Sequence, residues 1–177
     1  MTIGYHKSLV LTALFGGLAY LANFFTLVIT NLTPAFFIIF LAGYLLGFRW
    51  GFISGALGFF LIAYFNPLGL TLIPILIGQI VCGGIVGAGG GLARKIFPVI
   101  VKDWRTYIIY ALWGLILPGF YMVAVSLIDA FMYGPFRERF LVGLSFSILT
   151  FISNMIIFPV LTPVIKFADD QLQGSEV

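Results

Sequence analysis

Long apolar stretches separated by short polar breaks fill the chain, and their lengths predict helices that cross a membrane. About 20 apolar residues span the hydrocarbon core of a bilayer, so 177 residues leave room for six spans joined by short loops. We therefore expect one all-α integral membrane domain over residues 1–177, built as a compact bundle of six transmembrane helices. The predicted helices cover residues 8–30, 35–48, 50–64, 73–93, 106–133 and 140–165.

The second and third predicted helices are short for complete spans, and this leaves an alternative open. Only Arg49 and nearby glycines separate them, so a single kinked span of about 30 residues fits the same pattern. Two separate helices are favoured because the sequence FRWG at residues 48–51 combines a charge with a tryptophan. Such residues are typical of a membrane–water interface.

Composition agrees with lipid as the solvent of this protein. Hydrophobic residues make up 62% of the chain and charged residues 8%, whereas a soluble domain has roughly a quarter of its residues charged. The mean hydropathy is +1.16. Cys82 and His6 are the single cysteine and the single histidine, so the sequence predicts no internal disulfide and no metal site. We also expect no nucleic-acid partner, because the net charge of +3 is better explained by membrane topology.

The positions of the basic residues predict the orientation of the bundle. With six spans, seven of the nine basic residues fall on the side that holds both termini. Arg137 and Arg139 lie on the other side, with Glu138 between them. Cytoplasmic loops carry an excess of Lys and Arg, so both termini are expected in the cytoplasm, in the inner membrane of a prokaryotic cell. The seven residues are Lys7, Arg49, Arg94, Lys95, Lys102, Arg105 and Lys166.

Small residues recur at intervals of four in three of the predicted helices. Residues four apart share one helix face, and small side chains there let two membrane helices approach closely. Packing within the bundle is the favoured interpretation for the series at residues 43–55 and 83–91. Ala13 and Gly17 in the first helix form a shorter patch, which is the better candidate for contact with another membrane protein.

Polar side chains inside the apolar stretches are the candidates for ligand binding. Polar groups in hydrocarbon are costly, so each needs a partner or a function. In the predicted orientation most of them fall in the outer half, which favours an outward-facing pocket. Hydrogen bonds between helices remain the alternative, as does pairing of Asp129 with Arg137 or Arg139. Asn31 and Asn66 belong to the predicted outer loops and the other candidates to the predicted spans. The candidate residues are Asn23, Asn31, Asn66, Gln79, Tyr121, Asp129, Tyr133 and Asn154.

The residue types found in the predicted spans argue against catalysis. The predicted spans contain no histidine, which excludes a Ser–His hydrolase, and no pair of acidic residues, which excludes a two-aspartate protease. We therefore expect a protein that is not an enzyme.

The segment at residues 35–94 combines a series of small residues that begins with Ala42, Gly43 and Gly47 with the later glycines Gly83, Gly84 and Gly87. In this pattern it resembles the membrane-embedded substrate-binding subunits, or S components, of energy-coupling factor transporters. In that family a second helix with an Ala-Gly and Gly pattern leads into a glycine-rich third helix, a Pro/Gly loop and a fourth helix that ends near Gly-Gly-x-x-Gly. Chain length, six spans and cytoplasmic termini are also similar, so the resemblance extends over most of the chain. The matching residues are Ala42, Gly43, Gly47, Gly51, Gly55, Gly58, Pro67, Gly83, Gly84 and Gly87.

This resemblance implies that the chain captures a vitamin-like micronutrient and needs partners for import. The implied partners are a transmembrane coupling subunit and two cytoplasmic ATPase subunits, which use ATP; this chain itself would bind no cofactor. Small residues on the first helix contact the coupling subunit in the family, and Ala13 and Gly17 are the nearest match here. Biotin, thiamine or its pyrimidine, riboflavin, a cobalamin precursor and a deazapurine all remain open as ligands.

A non-transporting scaffold is the alternative function. It would be similar to the rod-shape membrane subunit of cell-wall assembly. That function predicts a filled interior and a large apolar contact surface, whereas substrate capture predicts a pocket that opens at the outer face.

Overall fold

The computed structural model describes residues 4–26, 32–67, 69 and 71–174, and all regular structure in these ranges is helical. The all-α prediction is therefore confirmed for the described part of the chain. Seven helices follow one another: α1 (Tyr5–Phe25), α2 (Ala35–Leu46), α3 (Phe48–Tyr64), α4 (Ile73–Ile96), α5 (Trp104–Tyr133), α6 (Phe136–Val160) and α7 (Thr162–Gly174).

Four of the helices are long and apolar enough to cross a membrane. They are α1, α4, α5 and α6, with 21 to 30 residues each and mean hydropathy of 1.7 to 2.0. The helices α2 and α3 are apolar but shorter, with 12 and 17 residues. The chain thus has the helices of a multi-pass membrane protein. These four helices overlap four of the six predicted spans.

The break between α2 and α3 is a single residue, Gly47. Its φ of 91° lies in the left-handed region that glycine adopts without steric cost. Arg49 does not mark the break, because it lies inside the first turn of α3. The chain therefore forms two helices here, and a backbone reversal at glycine separates them.

The C-terminal part differs from the prediction of one helix over residues 140–165. α6 already begins at Phe136, and it ends at Val160; after Leu161 a further helix, α7, follows. Pro163 stands in the first turn of α7, where the missing N–H of proline costs nothing. The last predicted helix ends at residue 165, so most of α7 lies beyond the predicted helices. The apolar residues Ile165, Ala168 and Leu172 of α7 fall at helical spacing and pack against the core.

Consecutive long helices run in opposite directions, which gives the bundle two ends. Tyr5 at the start of α1 packs on Trp50 near the start of α3, with ring centroids 5.4 Å apart. Arg139 near the start of α6 contacts Asp129 near the end of α5. We call the end where α1, α3 and α5 begin, and α2, α4 and α6 finish, the terminal end. The opposite end is the far end.

The helix α2 forms the centre of the core. All its residues are buried except Ile38 and Leu46, which are half-buried. Its aromatic side chains contact rings from the surrounding helices: Phe40 lies 5.0 Å from Phe158 of α6, and Phe36 lies 5.1 Å from Tyr121 of α5. A helix that is hydrophobic on every side is stable only when neighbours cover every side.

The glycines of α2, α3 and α4 place these helices in backbone contact. A Cβ added at Gly43 would lie 1.7 Å from the carbonyl oxygen of Gly87, and one at Gly55 would lie 2.1 Å from that of Gly83. Gly51 faces Gly87 in the same way. Among the described residues, the glycine series therefore serves packing within the bundle, as its four-residue spacing favoured.

Candidate ligand-binding site at the far end

Two of the candidate residues, Asn23 and Asn66, line one pocket between α1 and α3 at the far end. The pocket has a volume of about 30 Å³. Asn23 lies in the last turn of α1, and Asn66 is the second residue after the end of α3. The two amides are 43 residues apart in sequence and meet because α1 and α3 run side by side in the same direction. The pocket is lined by Tyr20, Asn23, Phe24, Ile62, Phe65, Asn66 and Pro67.

Hydrogen bonds within the chain hold the ends of α1 and α3 beside this pocket. Thr26 closes α1 by donating its hydroxyl to the carbonyl oxygens of Ala22 and Asn23, at 3.0 and 3.2 Å. Beyond α3, the Gly69 N–H donates to the Asn66 carbonyl oxygen at 3.1 Å, which forms a tight turn. Both carbonyl groups are thus used locally, and the pocket combines aromatic walls with amide side chains that can donate and accept hydrogen bonds.

The pocket is small for a vitamin-like ligand. Sites for such compounds enclose roughly 300–1,000 Å³, which is at least ten times the volume of about 30 Å³ between Asn23 and Asn66. Tyr20 and Phe65 face each other across it, with ring centroids 6.3 Å apart. A ring-shaped ligand could enter only if these two rings separated.

Asp129 lies in a second pocket, at the turn between α5 and α6. The pocket is open and has a volume of about 420 Å³; Glu138, Val142 and Gly143 complete its lining with Arg139. The Arg139 guanidinium donates to both carboxylate oxygens of Asp129 at 2.9 Å. The same guanidinium lies 5.7 Å from the centre of the Tyr133 ring. The carboxylate is therefore already paired, as the alternative for Asp129 proposed.

Tyr121, Gln79 and Asn154 lie apart from both pockets. Tyr121 is buried against Phe59, with ring centroids 4.4 Å apart. The Gln79 side-chain oxygen and the Asn154 side-chain oxygen are buried without a hydrogen-bond partner among the described residues. Asn154 donates its amide to the Thr150 carbonyl oxygen of its own helix at 3.0 Å.

The start of α6 at Phe136 fixes the position of Asn154 along the bundle. With α6 starting at Phe136, Asn154 comes 18 residues later, which is about 27 Å along the helix. A Cβ added at Gly114 of α5 would lie 2.4 Å from the backbone oxygen of Asn154. Asn154 thus belongs to the half of the bundle near the terminal end, away from Asn23 and Asn66.

The seven candidate residues that the structure describes consequently do not form one site. Asn23 and Asn66 share a pocket; Asp129 and Tyr133 meet at Arg139; Gln79, Tyr121 and Asn154 lie inside the bundle. Asn31 falls outside the described residues. Tyr20 and Phe65 were absent from the predicted site. Tyr20 could have been found from its position, because a residue three before Asn23 shares its helix face.

The small-residue patch on α1 faces outward. Ala13 is exposed, and a Cβ added at Gly17 would meet nothing within 4 Å. Gly16 on the same helix is packed instead, because a Cβ added there would lie 3.0 Å from the Leu57 side chain of α3. One side of α1 is therefore packed on α3, and the side with Ala13 and Gly17 is open to a neighbour.

Comparison with known proteins leaves the site to be judged on its geometry. No protein-family model, no curated protein and no solved structure matches this chain.

Proposed function

We propose that the chain is the substrate-capture subunit of a micronutrient importer of the energy-coupling factor type. The observation that carries the proposal is the pocket at the far end, which Asn23 and Asn66 line together with the aromatic residues Tyr20, Phe24 and Phe65. Amides beside aromatic rings suit a flat, ring-containing compound, because rings stack on rings and amides bind its ring nitrogens and N–H groups. The ligand would be a vitamin or a vitamin precursor.

The proposal includes six spans, with the far end outside the cell and both termini in the cytoplasm of a prokaryote. In this arrangement α2 and α3 would each cross part of the membrane in contact with α4. Capture would take place at the outer face. Import would depend on a transmembrane coupling subunit, which would dock on Ala13 and Gly17 of α1, and on two ATPase subunits.

Binding would require the far ends of α1 and α3 to move apart. In this proposal, the pocket of about 30 Å³ is the form without ligand. Separation of Tyr20 from Phe65 would open the space between the helices and expose both amides to the ligand. A ligand that binds only the open form stabilises the protein by mass action, so binding is visible as a rise in the unfolding temperature.

The direct experiment is a thermal-shift screen of the purified full chain against biotin, thiamine, riboflavin and a deazapurine, together with native mass spectrometry. We expect one compound to raise the unfolding temperature and to appear as a bound mass. The double variant Asn23→Ala/Asn66→Ala should bind that compound at least about fivefold more weakly, since each amide contributes about 0.5–1.5 kcal/mol. The matched control is Ser145→Ala, because Ser145 is exposed on α6 and donates only to its own helix.

Failure of every compound in the panel, with no bound mass in the native spectrum, would contradict capture. Equal affinity of the double variant and the control variant would retain capture but exclude the pocket between α1 and α3.

A scaffold of cell-envelope assembly is the second candidate, and a specific observation favours it. Phe36, Phe59 and Tyr121 fill the space between α2, α3 and α5 with rings 4.4 to 5.2 Å apart. A filled interior beside the exposed apolar side of α1 is what a scaffold requires. A scaffold would give no thermal shift with any small molecule and would copurify with a membrane-protein partner that a bulky residue at Gly17 displaces.

A further inference from the structure

The helix α7 has three distinct faces. Ile165 is fully buried, and Ala168 and Leu172 also pack on the core of the bundle. A second face carries the exposed apolar side chains Val164 and Phe167, which have 43% and 66% of their surface accessible. Residues three or four apart share a helix face, so these sets follow from sequence spacing.

The third face is charged. Lys166 and Asp170, four residues apart, form an ion pair within α7. This hydrogen bond to Asp170 raises the pKa of the Lys166 ammonium. A helix with a docked face, an apolar exposed face and a charged exposed face fits a boundary between lipid and water.

The direction of α7 agrees with such a position. Thr162 follows the last residues of α6, yet Asp169, about two turns later, reaches Arg94 at the end of α4. The helix also packs on α2. It therefore crosses the terminal end of the bundle instead of continuing the axis of α6.

One arginine joins α7 to the end of the central helix. Arg94 donates to Asp169 at 2.7 Å and to the carbonyl oxygens of Tyr44 and Leu45 at 3.3 and 3.2 Å. These carbonyls belong to the last turn of α2, where no helical N–H follows to bind them. The guanidinium also lies 5.7 Å from the centre of the Tyr44 ring.

We propose that α7 is a membrane-surface helix, which Arg94 and Asp169 fasten across the terminal end of α2. Its partner is the boundary between the headgroups and the acyl chains of the bilayer. Val164 and Phe167 enter this boundary next to Val160, the exposed last residue of α6, so the apolar surface of that span continues onto α7. Lys166 and Asp170 face water.

The membrane contact is tested by spin labels on the full chain in lipid nanodiscs, with Cys82→Ala as the background. Labels replace Val164, Phe167, Lys166 and Asp170 one at a time. We expect labels at 164 and 167 to collide mainly with oxygen, which concentrates in lipid, and labels at 166 and 170 to collide mainly with a water-soluble nickel complex. Equal, water-like collision rates at all four positions would overturn the proposal.

The fastening is tested by trypsin cleavage after Lys166, which requires α7 to detach and unfold locally. Asp169→Asn should accelerate release of the fragment 167–177 about fivefold, the upper range for a partly exposed ion pair. Arg94→Gln should have the same effect without a change in the cleaved sequence. The matched control is Asp170→Asn, which removes the same charge from the outer face and should have a smaller effect.

Equal cleavage rates in Asp169→Asn, Asp170→Asn and the unchanged protein would refute the fastening. Neither experiment requires the proposed ligand, so a failed vitamin screen leaves both results interpretable.

Discussion

At the scale of single residues, partners determine what the polar side chains of this bundle can do. Asp129 is the most polar of the candidate residues, yet its carboxylate receives both hydrogen bonds of an Arg139 contact. Asn23 and Asn66 are less polar but reach the same pocket. Residue type alone does not show this difference, because pairing reduces what a charged group can offer a ligand.

The Asp129 pair supplies a prediction about stability. The two side chains are 30% and 43% exposed, and exposed ion pairs contribute about 0–1 kcal/mol. We expect Asp129→Asn to reduce the free energy of unfolding by less than about 1 kcal/mol in detergent, as measured by thermal or denaturant unfolding. The ligand identified by the screen should bind this variant normally. A tenfold loss of affinity at unchanged stability would instead assign the ligand to the pocket between α5 and α6.

At the scale of helices, glycine determines how closely neighbours approach. The backbones of α2, α3 and α4 touch at Gly43, Gly51 and Gly87, and each position would place a Cβ inside an adjacent backbone. Membrane helices gain no hydrophobic energy from one another in lipid, so close packing supplies the association. The short helices α2 and α3 are held in the bundle by this contact with α4.

This contact predicts opposite effects for two glycine substitutions. Gly43→Ala should lower the free energy of unfolding by about 2 kcal/mol or more, because α2 and α4 must separate to admit the methyl group. Gly17→Ala should be neutral or slightly stabilising, since a Cβ there meets nothing within 4 Å and alanine favours helix. Thermal unfolding of the two purified variants compares them directly. Similar losses in both would mean that the backbone contact does not limit stability.

At the scale of the whole molecule, the distribution of basic residues distinguishes the two ends of the bundle. Lys7 and Arg49 stand in the first turns of α1 and α3, and Arg94 and Lys95 in the last turn of α4, all at the terminal end. Lys102 lies in the loop before α5. The alternating helix directions therefore collect basic residues at one end, and the proposed orientation places that end in the cytoplasm.

Orientation can be measured with single cysteines in the Cys82→Ala background. Lys102→Cys marks the terminal end and Pro67→Cys the far end; both native side chains are exposed. In intact bacterial cells, a membrane-impermeant maleimide should label the cysteine at 67 and should label the one at 102 only after the cells are lysed. The reverse labelling pattern would mean that the bundle has the opposite orientation, with the far-end pocket on the cytoplasmic side.

The pattern of apolar stretches and the spacing of glycines predicted the long apolar helices and the close packing of α2, α3 and α4. Hydrophobic length predicts spans wherever lipid is the solvent, and small residues four apart predict close contact within the bundle. The site followed less well from sequence. Asn23 and Asn66 could be proposed as polar residues in apolar surroundings, but only the parallel packing of α1 and α3 brings them together.

Sequence by itself determined that this is an all-helical protein suited to a membrane, because composition and period depend on local chemistry. Tertiary structure decided which polar groups meet. It paired Asp129 with Arg139, buried Asn154 and the side-chain oxygen of Gln79, and joined α7 to α4 through Arg94 and Asp169. Those contacts join residues from different helices, so they depend on the relative direction and rotation of the helices, which no local pattern records.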